Sequence, residues 1–252
     1  MKIGMIGVGK IGGTLAARYA AAGHEVTIAN SRGADSLTDL ASQLGARAGS
    51  IAQAVDGADV VFVSIPFQGI AALPDDLFAK ADEELVIVDT GNYMPFRDRA
   101  IEDVEAPEVE SLWVSHHLGR PVIKAYNSIM AESLLDEARP AGTPGRIALP
   151  VAGDDFRAKR IAMDLVELSG FDPYDAGPLE QSWRQQPGTP AYCTDLTLAD
   201  LPNALARADR STAPAIRDAF TKELLESWDT AGPGDRVKII RSHQPGSETG
   251  GA

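Results

Sequence analysis

The feature that most constrains this chain is a run of glycines placed directly after an apolar opening. Met1-Lys2-Ile3-Gly4-Met5-Ile6 leads into Gly7-Val8-Gly9-Lys10-Ile11-Gly12, and Gly13-Thr14-Leu15-Ala16-Ala17-Arg18-Tyr19 follows. This order predicts strand, tight turn and helix. Gly7 permits the turn, Gly9 lets the backbone approach a ligand, and Gly12 lets the helix pack close to the strand. His24-Glu25-Val26-Thr27-Ile28-Ala29 reads as a second strand. A complete β-α-β unit then fits within about thirty residues, which raises the glycine pattern above a bare motif match. A turn of this kind holds the pyrophosphate of a dinucleotide, with the helix N-terminus facing the negative charge. Residues 7–12 are therefore candidate cofactor contacts.

The end of the second strand refines that expectation. Sites for NAD place Asp or Glu there, to bond the ribose 2′-hydroxyl. This chain has Asn30-Ser31-Arg32. No carboxylate stands there to repel a 2′-phosphate, Arg32 can pair with one through its planar fork, and Ser31 can donate a hydroxyl. The three residues predict preference for NADP. A surface turn that happens to carry an arginine is the plainer alternative.

Downstream, Leu37, Leu40, Ala41 and Leu44 recur at helix spacing, and Gly45 ends the run. A short strand at 46–49 and a brief helix at 50–55 are expected next. The runs at 58–66, 84–89 and 121–126 are apolar and rich in β-branched residues, as in strands buried on both faces. Strands alternating with helical stretches predict an α/β fold, a doubly wound and mostly parallel sheet. Ligands of such sheets lie beyond the carboxyl ends of the strands. That rule selects the loops Asn30-Ser31-Arg32, Ser64-Ile65-Pro66-Phe67, Gly91-Asn92-Tyr93 and Asn127-Ser128-Ile129, and within them Asn30, Ser31, Arg32, Ser64, Ile65, Pro66, Gly91, Asn92 and Asn127 as site residues. For Asn92 and Asn127 a local turn role is an equal alternative.

Residues 139–145, rich in Pro and Gly, read as a linker. They divide a cofactor-binding part, 1–142, from a smaller α-rich part, 143–252, expected to contribute to dimer contact. In that second part a strand at 146–153 precedes a helix from Phe156 to Ser169, capped by Asp154 or Asp155, with Ile161, Leu165 and Leu168 facing inward. An edge strand is expected at 171–177. Residues 181–193 read as an irregular loop with two exposed aromatics. Ile216, Phe220, Leu224, Leu225 and Trp228 form a helical stripe for core or dimer contact. Residues 243–252 read as a flexible tail.

The 252 residues carry a formal net charge of −13. That argues against general binding to nucleic acid or to an anionic membrane, either of which needs a basic face. The single cysteine, Cys193, cannot form an internal disulfide, and a reducing cytoplasm is the expectation. The first strand begins too early for a signal peptide, and no apolar run approaches membrane-spanning length. No metal site is expected: His116 and His117, read as a solvated turn or strand pair, would diverge, and no further ligand lies at suitable spacing. His24 reads as structural.

Taken together, the opening glycine turn, HEVTIANSRG, VIKAYNSI, and ALPVAGDD followed by GFDPYDAGPL resemble the NADPH-dependent reductases of the deazaflavin coenzyme F-420. The resemblance covers residues 1–180. It implies a Rossmann domain, NADP(H), a small C-terminal part over the hydride-transfer site, and pairing as a homodimer. It places phosphate-binding glycines at Gly7, Gly9 and Gly12, and 2′-phosphate contacts at Ser31 and Arg32. The C-terminal part here is longer than in compact members, which leaves the second substrate open. A deazaflavin coenzyme has an acidic tail, and Arg184, Arg207, Arg210, Arg217 and Lys222 could receive it, although Asp195, Asp200, Asp209 and Asp218 intervene.

Hydride transfer between two rings needs stacking and distance control more than an acid or base. Ser64, Ile65 and Pro66 should lie along the cofactor, with Gly91 and Asn92 near the nicotinamide. Lys124, at the end of its strand, is the candidate titrating group, able to protonate a carbonyl oxygen. Its alternative role is to cap nearby carbonyls. Reduction of a small carbonyl or imine substrate, and cofactor binding without turnover, remain competing readings.

Overall fold

In the computed structural model, residues 1–98 and 109–245 are described. Eight strands occur among them: β1 Lys2–Ile6, β2 Glu25–Ala29, β3 Arg47–Ala48, β4 Val60–Val63, β5 Val86–Asp89, β6 Ile123–Lys124, β7 Ala148–Val151 and β8 Asp172–Asp175. The helices are α1 Lys10–Ala21, α2 Thr38–Leu44, α3 Ile51–Val55, α4 Phe67–Ile70, α5 Pro95–Asp98, α6 Glu110–Leu118, α7 Ala131–Asp136, α8 Phe156–Leu168, α9 Leu201–Ala206, α10 Ala213–Ser227 and α11 Pro233–Ser242.

The first six strands form one parallel sheet in the order β3-β2-β1-β4-β5-β6. The order reverses between β1 and β4, where Ile6 pairs with Val63. Connections leave that point in opposite directions, so a crevice opens beyond the strand ends, between the turn at Gly7 and the turn at Ser64. Strands β7 and β8 form a second parallel pair. An antiparallel bridge between Lys124 and Ala152 joins β7 to the edge of the main sheet, with N···O distances of 2.8 and 3.0 Å.

Both faces of the sheet are covered, which accounts for the unbroken apolar runs. Met5, Ile28, Phe62 and Val88 point to one face and pack with Leu15, Ala16 and Tyr19 of α1 and with Ala162, Leu165 and Val166 of α8. Ile6, Val61, Val63 and Ile87 point to the other and pack with Phe67, Phe78, Val114 and Leu118. Local signals set several boundaries. Ser50 accepts from the backbone N–H of Gln53, whose side chain returns to the Ser50 N–H, a capping box that starts α3. Asp155 caps α8, and Gly45 ends α2 with φ 67°.

Several expectations are corrected. The run at 121–126 is a strand only over Ile123–Lys124, because Tyr126 turns the chain with φ 62°. His116 and His117 lie on helix α6, not on a strand or turn, and His117 stacks on Trp113. Leu168, expected inside, is 47% exposed at the last position of α8. The 181–193 segment is not an exposed loop. It begins as a 3-10 turn, Leu179–Gln185, and buries Ser182, Gln185, Thr189, Ala191 and Cys193. Its aromatics, Trp183 and Tyr192, are half-buried. In the C-terminal stripe only Phe220 is core, packed with Cys193 and Ile240; Leu225 and Trp228 are exposed. Of the expected tail, His243 pairs with Glu223 at 2.8 Å and Gln244 is buried, while 246–252 lie outside the described residues. No described helix is long and apolar enough to cross a membrane.

Candidate active site

The glycine turn separates into three physical roles. Gly7 has φ 97°, and a Cβ there would stand 2.3 Å from the Ser64 carbonyl oxygen. A Cβ on Gly12 would stand 2.1 Å from the Gly7 carbonyl oxygen, so α1 rests directly against the turn. Gly9 differs: a Cβ there would meet nothing within 4 Å. Its protein neighbours do not require glycine, which leaves the space above it for a ligand. Gly9 is also the N-cap of α1 and has no side chain to occupy the first N–H groups of that helix. Val8 and Ile11 are partly buried beside the turn, whereas Gly9 and Lys10 are exposed. The donor set fits a dinucleotide diphosphate.

At the end of β2, Asn30 serves the turn itself. Its side-chain oxygen accepts from the Arg32 backbone N–H at 2.8 Å, and its amide donates to Ser36 Oγ at 3.1 Å. Ser31 and Arg32 are exposed, and among the described residues the Arg32 guanidinium has no hydrogen bond or ion pair. Asp35 lies in the following 3-10 turn, Ala34–Leu37. On the other side of the crevice Ser64 donates its N–H to the Ile6 carbonyl at 2.8 Å, Ile65 packs toward Gly7, and the exposed Pro66 starts α4.

The exits of β5 and β6 are tightly bonded. Lys124, expected near the substrate, is fully buried, with its ammonium 2.9 Å from Asp89 Oδ2 and donating to the Gly91 carbonyl. Asp89 Oδ1 accepts the Gly91 N–H at 2.8 Å, and Ser111 donates to Oδ2 at 2.9 Å. Gly91 is thus held at both its N–H and its C=O. Beyond it, Asn92 Nδ2 donates to the Asn127 carbonyl at 2.8 Å, and Asn127 Nδ2 donates to Asn92 Oδ1 at 3.0 Å. Gln185 Nε2 donates to Asn127 Oδ1 at 2.8 Å, while Asn127 Nδ2 also donates to the Gln185 carbonyl at 2.7 Å. Both asparagines therefore do more than local turn work: they join the two strand exits to the 181–195 segment.

That segment is held in an unusual conformation. Cys193 and Asp195 have φ 51° and 49°, and Cys193 donates its N–H to the Ser128 carbonyl at 3.0 Å. Together with Tyr126 they put three non-glycine left-handed residues around one exit, a clustering common at binding sites. Burial pushes the Cys193 thiol far above its usual range, with Asp195 adding to the effect. Burial likewise raises Tyr192, reinforced by Cys193. Glu110, 5% exposed at the start of α6, is raised by burial, against the opposing pull of Lys124, the Gln186 side chain and the Tyr93 backbone N–H. Its Oε2 has no hydrogen-bond partner.

Sequence reasoning missed Asp89, Ser111, Glu110 and Gln185. For Asp89 a signal existed. It ends one buried strand as Lys124 ends the next, and opposite charges closing two adjacent apolar runs are best satisfied by each other. Glu110 and Gln185 carried no comparable signal. Among the described residues no group of His, Cys, Asp and Glu could hold a metal ion.

A doubly wound sheet with its glycine turn at the switch point, and the family and relatives it shares, define the class: this is an NADP-dependent oxidoreductase of Rossmann type. Residues 2–93 match the family model described as NADP oxidoreductase, coenzyme F420-dependent, and the chain belongs to that family. Protein YjhV of Escherichia coli (strain K12) is 37% identical over 107 residues, which span 41% of this chain and 71% of that protein. The crystal structure of protein SMa0349 from Sinorhizobium meliloti is 30% identical, with a TM-score of 0.66 over 78% of this chain and 95% of its own. A protein from Arthrobacter sp. FB24, described as an F420-dependent NADP-reductase, is 25% identical, with a TM-score of 0.54 over 72% of this chain and 87% of its own.

Proposed function

We propose that the protein transfers a hydride between NADP(H) and a deazaflavin coenzyme laid across the crevice beyond β1, β4, β5 and β6. The observation that carries this reading is the bonded state of the strand exits. Lys124 is locked in an ion pair, and Asn92, Asn127 and Gln185 are hydrogen-bonded to one another, with only Gln185 Oε1 left over. Such a wall is rigid. It suits orientation of two flat rings better than proton transfer to a small carbonyl.

In this reading residues 1–142 bind the cofactor and residues 143–252 cover the transfer site. The backbone of 7–12 receives the diphosphate, Ser31 and Arg32 receive the 2′-phosphate, and Asn30 shapes the turn that presents them. Ser64, Ile65 and Pro66 line the path to the nicotinamide. Gly91 and Asn92 face its ring, with Asn127 behind them. The bound nicotinamide supplies the hydride. Lys124 positions Gly91 through its carbonyl. The network through Gln185 fixes the 181–195 segment over the cleft and keeps water out of it. Pairing of two copies is part of the proposal. Membership of an oxidoreductase family answers the alternative of cofactor binding without turnover.

The test is to mix purified protein with NADPH and deazaflavin coenzyme and follow absorbance of both. Coupled loss of the two oxidised and reduced signals is expected. NADPH oxidation by small imines or carbonyls, with none by the deazaflavin, rejects the proposal.

A further inference from the structure

The C-terminal hairpin α10–α11 comes back to the glycine turn. Lys10, the first residue of α1, places Nζ 3.1 Å from Glu132 Oε1 on α7. Arg236 of α11 places Nη1 3.0 Å from the same oxygen. The Arg236 guanidinium lies 4.0 Å from the centre of the Trp228 ring and donates through Nη2 to the Trp228 carbonyl at 3.0 Å, while Lys10 Nζ lies 5.8 Å from that ring. The scaffold beneath is fixed. Arg18 of α1 donates to the carbonyls of Leu134 and Leu135 at the end of α7, so Glu132 cannot drift from α1.

The cluster is out of balance in two ways. Two cations share one carboxylate oxygen, which leaves a net positive charge beside a helix N-terminus that is itself positive. Arg236, with a side chain only 13% exposed, also has its Nε buried and without a partner. An unpaired buried guanidinium N–H costs stability unless something accepts from it. An anion at the glycine turn would neutralise the excess charge, and would accept from Nε once the guanidinium turns toward it. It would lie beside Lys10, whose helical side chain points back toward the turn.

We infer that Arg236 is a cofactor-binding residue, delivered by the C-terminal helix to the diphosphate of the dinucleotide together with Lys10. Glu132 holds the two cations in place and competes with the phosphate for them. Trp228 packs against the guanidinium and restricts its orientation. The inference rests on the reading that residues 7–12 hold the diphosphate. It is independent of which second substrate accepts the hydride.

Calorimetric titration of the full chain with NADPH and with NADH tests it. A diphosphate contact is common to both cofactors, so Arg236→Ala should weaken both by about tenfold and leave their ratio unchanged. Arg32→Ala should change that ratio. Glu132→Gln frees the cations and should tighten both cofactors by about twofold to threefold, a gain that a merely structural tie would not give. Unaltered binding of both cofactors by Arg236→Ala overturns the inference. So does a weakening by Glu132→Gln; unaltered cofactor binding together with a raised KM for the deazaflavin, read in a separate turnover assay, would assign Arg236 to the second substrate's anionic tail. Circular dichroism checks folding, and if Arg236→Ala unfolds, the Glu132→Gln titration decides alone. Cofactor binding is read without turnover, so failure here leaves the proposed reaction standing, and absence of deazaflavin turnover leaves this inference standing.

Discussion

Lys124 and Asp89 form an ion pair 2.9 Å long with both side chains fully buried, and together they hold the two ends of one glycine, Gly91. A buried pair of this kind adds little net stability over a well-packed apolar pair, but removing one partner strands the other charge. Lys124→Met should therefore destabilise the protein by about 3–5 kcal/mol. Replacing both residues by apolar ones should recover much of that loss. Urea unfolding of the single and double variants checks the prediction. A folded Lys124→Met protein of undiminished stability would contradict it and would return Lys124 to the list of candidate proton donors.

The glycine turn makes a contrast between stability and binding. A methyl group on Gly12 would collide with the Gly7 carbonyl, backbone against backbone. Gly12→Ala should cost about 1–3 kcal/mol through overpacking, visible as a lower Tm. Gly9 has open space around it, so Gly9→Ala should fold normally and lose affinity for NADPH by about tenfold or more, as the added methyl enters the ligand's volume. Comparing Tm with Kd for the two variants separates the roles. A Gly9→Ala protein that binds NADPH as the parent does would remove the diphosphate from that position.

Arg32 is exposed and without partners among the described residues, so its replacement should barely alter Tm. Its expected contribution is to the cofactor alone. A charge-assisted hydrogen bond is worth about 1.5–3 kcal/mol, so Arg32→Ala should weaken NADPH by about tenfold to a hundredfold while NADH changes little. Equal losses for both cofactors would show that the arginine does not read the 2′-phosphate.

These predictions draw on residues that the sequence exposes to very different degrees. The β-α-β opening was legible because glycines, apolar runs and strand length all act locally, and β1, α1 and β2 fall where the pattern puts them. The parallel, doubly wound character of the sheet followed from the alternation of apolar runs with helical stretches; the strand order did not. The site beyond β5 and β6 was only half legible. Asn92 and Asn127 could be selected by position, but their partner Gln185 lies 58 residues beyond Asn127, and no local period links them. Lys124 was legible as a charged residue at a strand end. Its burial depended on Asp89 sitting at the end of the neighbouring strand, which requires the pairing register. His116 and His117 were misplaced because helix α6 has weak apolar periodicity, and Leu168 because a residue in the last turn of a helix can rotate past the core edge.

Cys193 offers a chemical check on the 181–195 segment. Its thiol is 2% exposed, and burial with Asp195 nearby keeps it protonated, whereas alkylation requires the thiolate and access. Iodoacetamide should fail to modify the native protein and should modify it fully in denaturant, as mass spectrometry would read. Rapid native labelling would mean that the segment opens from the strand exits.

Glu110 gives the fold a pH dependence of definite sign. Burial raises its pKa above the unfolded value, against the pull of Lys124, so the folded state binds this proton more tightly than the unfolded state does. By linkage, its stabilising contribution is fully present below the unfolded pKa and is lost as pH rises through the folded one. Glu110→Gln removes the titration and can still accept the Tyr93 N–H. All other carboxylates titrate in both proteins and cancel in the difference. The stability of Glu110→Gln relative to the parent should thus rise between about pH 4 and about pH 8, most steeply above the ordinary glutamate pKa. Parallel urea titrations across that range measure the difference directly. A constant difference would mean that Glu110 titrates alike in both states, and a falling one would mean that Lys124 outweighs burial and holds the carboxylate ionised.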